Sequence, residues 1–169
     1  MKSNIWKTIN NVKYPTSKDC LEDLEANNFV CSEWIKDIFS KKIFEYSKNS
    51  YPINLIRIKV SDFGFNGPIE LKEFYNKIEE NNFSLVSPEI ALYSRNIYND
   101  QPTGEWLRFA TPMDSLKDSD GVPHLPKLGK ALGKYFVETY WSYPKAIFHP
   151  HNEFVVMKKD ESTKTNKDK

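Results

Sequence analysis

The chain has 169 residues, 39% of them hydrophobic and 14% aromatic, which is material for one ordinary packed core and too little for two. Its formal charge is +1, and the stretch from Lys158 to Lys169 carries five lysines and three acids, so the remainder stands at −1. A near-neutral, mildly acidic body counts against a nucleic-acid partner, and no segment approaches the roughly 18 apolar residues of a membrane span.

Residues 1–16 are polar with scattered apolar positions and end near Pro15, which reads as a loosely docked arm. Ser17 is the expected cap of a helix over 18–28, with Leu21 and Leu24 inward and Asp19 in its first turn. Ser32 caps a stronger helix, in which Trp34, Ile35, Ile38 and Phe39 share one face. After Pro52, residues 53–60 alternate branched aliphatics with Arg57 and Lys59, the pattern of a half-buried strand. A glycine-containing loop over 62–67 leads into a helix with Leu71, Phe74, Tyr75 and Ile78 on its apolar stripe. Residues 83–86 are short and extended, and Ser87-Pro88-Glu89 opens a further helix running to about Arg95.

Beyond residue 104 the period changes to two. Residues 105–110, 125–128, 135–141 and 154–157 are predicted strands, with a hairpin loop over Gly129–Lys134. Helices first and strands later predict an α+β fold, with N-terminal helices packed on one face of a mainly antiparallel C-terminal sheet. The expected organisation is an arm (1–16), one α+β domain (17–157) and a disordered charged tail (158–169), whose composition lacks apolar residues.

Motifs for chemistry are sparse. The acidic stretch Asp114–Gly121 lacks an EF-hand ligand pattern, since aligning Gly121 puts Leu116 first and Lys127 last; it reads as a turn whose aspartates bond their own backbone. His149 and His151 have metal-like spacing but no matching third ligand, and no metal or cofactor is expected; all three histidines read as turn or surface residues. Cys20 and Cys31 read as reduced core thiols. Phosphate-loop, nucleophile-elbow, dinucleotide and zinc-protease motifs are all absent. Glu105 and Arg108 fall on opposite faces of their strand, Arg108 together with Trp106. The rings around Tyr135, Phe136, Tyr140, Trp141 and Tyr143 either pack inward or form a partner surface; only Lys130, Lys134 and Lys145 are their neighbours in sequence, too few for a basic groove.

From Ile58 to Lys158 the chain resembles a family of uncharacterised bacterial proteins. The strings that carry the resemblance are Ser87–Ala91, Asp100-Gln101-Pro102-x-Gly104–Arg108, Asp118–Gly121-x-Pro123, Trp141-x-x-Pro144 and Phe154–Val156. It implies no activity, substrate or cofactor, and the family pattern has no counterpart of His149 and His151. The expected function is therefore a non-catalytic binding or interaction module of the bacterial cytoplasm with a protein partner. Its surface is expected in the loops 100–108 and 118–124, and its binding residues are Trp106, Arg108 and Trp141. The first alternative is a small metal-assisted hydrolase or nuclease using Glu105, Asp118, Asp120 and His124. The second is a toxin–immunity or phage-related partner protein.

Overall fold

The computed structural model describes residues 4–159. Its framework is an eight-stranded mixed sheet. In spatial order the main path is β1 (Ile5–Ile9), β3 (Ile53–Lys59), β10 (Glu153–Lys158), β6 (Trp106–Phe109), β7 (His124–Ala131), β8 (Lys134–Trp141) and β2 (Val30–Cys31), with β5 (Phe83–Ser84) also paired to β10. Neighbours are antiparallel except β10 with β6 and β2 with β8. A separate two-stranded sheet joins β4 (Ile69–Glu70) to β9 (Ile147–Phe148). The helices are α1 (Ser17–Ala26), α2 (Glu33–Lys41), α3 (Leu71–Glu80) and α4 (Pro88–Tyr93). None of the helices among the described residues is long and apolar enough to cross a membrane.

The α+β class follows from these elements, with corrections to its arrangement. Residues 5–9, expected in a loose arm, form a strand bonded to β3, with Ile9 opposite Ile53. Helices cover both faces of the sheet rather than one. On the first face Leu55, Leu107, Phe109, Leu128, Val137 and Val155 pack against α1, α2 and α4. On the second, Ile56, Ile58, Phe154 and Val156 meet Leu71, Phe74, Tyr75 and Ile78 of α3. Alternation along each strand divides the two cores. Residues 160–169, most of the expected tail, lie outside the described residues, and Lys158 ends β10.

Local signals decide the element ends. Ser32 caps α2 by accepting from the Ile35 amide at 3.2 Å. The cap of α1 is Thr16 rather than Ser17, because only Thr16 has an acid three residues on: Asp19 accepts from the Thr16 amide and hydroxyl at 3.1 and 2.8 Å. Ser17 is buried instead, its hydroxyl accepting from the Phe44 amide. Trp34 leaves the buried stripe of α2 and is 51% exposed. The β7–β8 ladder runs to Ala131 opposite Lys134, so the loop shrinks to Leu132-Gly133, both at positive φ (51° and 72°), the conformation a two-residue hairpin with right-handed twist demands.

Candidate functional site

Helix α3 covers the β3–β10 side of the second face and leaves the β6–β7–β8 side half-open. Strand alternation places Trp106 and Arg108 there together. Antiparallel pairing then sets Gly129 opposite Trp106 and Lys127 opposite Arg108, and continues to Phe136 and Glu138 on β8. Trp106, Arg108, Lys127, Phe136, Glu138 and Tyr140 are all half-buried.

Gly129 makes the shape of this surface. A Cβ at that position would lie 2.6 Å from Trp106 Cη2 and nearer still to Cε3 and Cζ3, so the indole occupies the space any other side chain would fill and lies across β7. Its ring centre is 6.1 Å from that of Phe136. The Lys127 ammonium stands 4.8 Å from the Trp106 ring centre and 5.8 Å from that of Tyr140. The Arg108 guanidinium stands 5.3 Å from the Tyr140 ring and 5.8 Å from Phe148.

The charges are unbalanced. No ion pair among the described residues uses Arg108 or Lys127. Arg108 Nε is buried without a hydrogen-bond partner among the described residues. Burial pushes the Arg108 pKa down. Burial, reinforced by Arg108, also pushes Lys127 down, while Glu138 acts the other way. Like charges set directly across a ladder repel, so the sheet holds two cations in a place that its own fold does not favour.

The other expected residues are not brought together here. Trp141 lies on the first face, 54% exposed and register partner of His124, at the opposite surface from Trp106 and Arg108. Glu105 is held by Arg57 Nη2 at 3.0 Å and by the Tyr98 hydroxyl at 2.6 Å; Arg57 also grips Glu153, and these three charges form a cluster at the first face. His124 is a correction: it is 1% exposed, not a surface histidine. One ring nitrogen bonds Thr139 Oγ1 and the other Asp118 Oδ2, each at 2.9 Å, and the Trp34 ring covers it at 5.6 Å. Asp118 Oδ1 accepts from the amides of Asp120 and Val122 at 2.9 and 3.0 Å, the expected self-bonding turn, while the Asp120 residue is exposed.

Glu105 adjoins Trp106, whose partner Gly129 is five residues along β7 from His124, a separation of roughly 17 Å. The expected four-residue hydrolytic centre is thus split. A relay through Thr139 would need a hydroxyl that substrate can reach, whereas both Thr139 and His124 are buried. The geometry is that of a latch tying the 114–123 loop to the sheet. The loops 100–108 and 118–124 are each anchored at a buried residue, His124 in one and Gln101 in the other, the latter 1% exposed and donating to the Leu128 carbonyl at 3.0 Å, while Pro102–Gly104 and Ser119–Gly121 are exposed. Among the described residues no group of three or more His, Cys, Asp or Glu could hold a metal ion; His149 and His151 stack on each other in an exposed turn. Both cysteines are buried and free, and burial raises their thiols to about 11 (Cys20) and about 12 (Cys31), far from a reactive thiolate.

The same loop carries a pH dependence. Lys41, then the Ser119 hydroxyl and amide, hold the Asp37 carboxyl down from 3.8 to about 2. Ser119 donates to it through Oγ at 2.6 Å and through its amide at 2.8 Å. A depressed carboxylate contributes stability that is full above the unfolded value and is lost as pH falls through the folded one. The 114–123 loop should therefore loosen between pH 3.8 and about 2, read as loss of Ser119 amide protection from exchange. Asp37→Asn should loosen it already at pH 6; unchanged protection in that variant would refute the assignment.

Lys127 and Gly129 are the residues that sequence reading missed. Lys127 falls in a predicted strand, but Gly129 is expected in the hairpin loop and is instead part of β7, and the register that sets the two against Arg108 and Trp106 was not legible. No family model, curated protein or solved structure matches the chain.

Proposed function

We propose that this chain is a non-catalytic binding module whose ligand surface is the half-open second face of β6, β7 and β8, and whose ligands carry negative charge. The observation that supports this reading most is the Arg108–Lys127 pair: two partly desolvated cations, register partners, without an acidic partner at ion-pair distance among the described residues. An anion arriving between them relieves their repulsion and supplies the charge-assisted hydrogen bonds that the fold leaves unmade. The split of Glu105 from His124 argues against the hydrolytic alternative.

Inorganic tripolyphosphate is the simplest probe. At low salt it should bind the native chain, and Lys127→Gln should weaken binding about tenfold, the loss of one charged hydrogen bond. The same substitution should cost no more than about 1 kcal/mol in unfolding free energy, the worth of the cation–π contact with Trp106, because Lys127 makes no ion pair among the described residues. A variant that loses stability but not affinity would make Lys127 a structural residue and overturn the reading.

A further inference from the structure

The half-open face offers more than charge. The Trp106 indole lies across β7 in the space that Gly129 leaves empty, so its flat side is parallel to the strand surface rather than edge-on. Phe136 adjoins it, and Tyr140 stands on the same face of β8, four residues on and roughly 13 Å from Phe136. The Arg108–Lys127 pair lies between these ring positions, and Lys134 continues the cationic side past Phe136 as an exposed residue. Rings at both ends and cations in the middle match a strand of nucleotides, whose bases stack on π-faces while its phosphates meet the positive charge. A duplex keeps its bases stacked on one another and gives these rings nothing to bind. A mononucleotide uses one ring and leaves the rest of a 13 Å track idle.

Resting on the anion-binding reading above, we infer that the β6–β7–β8 face binds single-stranded nucleic acid, with a base stacked on Trp106 and backbone phosphate between Arg108 and Lys127. The sequence expectation against nucleic acid counted only Lys130, Lys134 and Lys145 beside the rings. Strand pairing turns Lys130 away, over Tyr135 on the other face, and adds Arg108 and Lys127. Glu138, register partner of Lys127, opposes a phosphate at this position and sets a ceiling on affinity.

Fluorescence anisotropy with labelled ten-nucleotide oligothymidylate and oligouridylate tests this on the full chain at 50 mM salt. Binding should weaken with salt with a logarithmic slope of about −1.4, from two phosphates neutralised. Trp106→Leu should weaken it roughly tenfold or more, Trp106→Phe less, as for lost base stacking. Since Trp106→Leu changes packing on Gly129, Glu138→Gln is the second arm: it leaves the rings in place and should tighten binding several-fold. Unlabelled AMP and a duplex of the same length should compete at least tenfold more weakly. If polyglutamate competes as well as oligothymidylate, or neither Trp106→Leu nor Glu138→Gln changes affinity, the nucleic-acid inference fails while anion binding survives. If Arg108→Gln with Lys127→Gln alters binding of neither the oligonucleotides nor tripolyphosphate, both fail together.

Discussion

Alanine at position 129 should destabilise the protein by about 1–3 kcal/mol and abolish the aromatic platform, although the added group is a single methyl. The backbone there tolerates alanine, since Gly129 is not among the glycines with positive φ. The cost comes wholly from the Trp106 ring, which sits where the Cβ must go and is braced by Phe136 and Lys127. The indole must swing toward water, so near-ultraviolet circular dichroism should weaken and emission shift to the red, with urea unfolding giving the stability loss. A double-mutant cycle isolates the cause. In a Trp106→Ala background the same Gly129→Ala change should cost nothing, or stabilise by several tenths of a kcal/mol, as alanine does over glycine inside regular structure. Equal costs in both backgrounds would show that the glycine answers to something other than the ring.

The second large effect is at Arg95, which is fully buried and, among the described residues, has no carboxylate partner. Its guanidinium works as a hub for neutral oxygens: Nη1 donates to Gln101 Oε1 at 2.8 Å and to the carbonyls of Gly129 and Phe136 at 3.2 and 3.3 Å, and Nη2 to the Tyr98 carbonyl at 2.5 Å. Tyr135 flanks it at 4.8 Å. Burial lowers its pKa to about 10, which still leaves it charged at neutral pH. Arg95→Met removes every one of these donors while filling much of the volume. The orphaned acceptors and residual cavity should together cost about 3–5 kcal/mol, a large share of the 5–15 kcal/mol that holds a domain folded. Arg95→Lys should recover little of it, because a single ammonium cannot fan out to acceptors on three segments. Chemical denaturation of the two variants measures both effects. A loss below 1 kcal/mol for Arg95→Met would mean that the carbonyls find other donors.

How much of this was legible in the residues depends on how local each signal is. The α2 cap at Ser32, the stripe Leu71–Phe74–Tyr75–Ile78 and the alternation through 135–141 depend on neighbours within one turn or one strand, and each appears as read. The α1 cap moved by one residue because two hydroxyls compete and Asp19 serves only Thr16. Strand β1 was hidden because five residues with two lysine or threonine positions gain their order from pairing with β3, some 45 residues away. That α3 crosses to the other face is equally non-local, since its stripe would suit either side of the sheet.

The site divides along the same line. That Trp106 and Arg108 share a face is a consequence of period two, whereas Lys127 and Gly129 join them only through the register of β6 on β7. Arg95 and His124 were invisible for the opposite reason. Polar residue types are usually outside, and their burial here is possible only because partners beyond the local element, Gly129 and Phe136 for one and the loop residue Asp118 with Thr139 of β8 for the other, meet all but the Arg95 Nε donor. Exposed Trp34 and Trp141 show the converse, large rings that gather on the first face near His124 without joining the platform.

The most direct measurement is a ¹H–¹⁵N correlation titration of the full chain with ten-nucleotide oligothymidylate. Shifts confined to the Trp106 indole N–H, the amides of 106–109, 127–131 and 134–140, and their immediate neighbours are the predicted result. Shifts centred instead on Trp34, Trp141 and the 118–124 loop, with the Trp106 indole unmoved, would contradict the account.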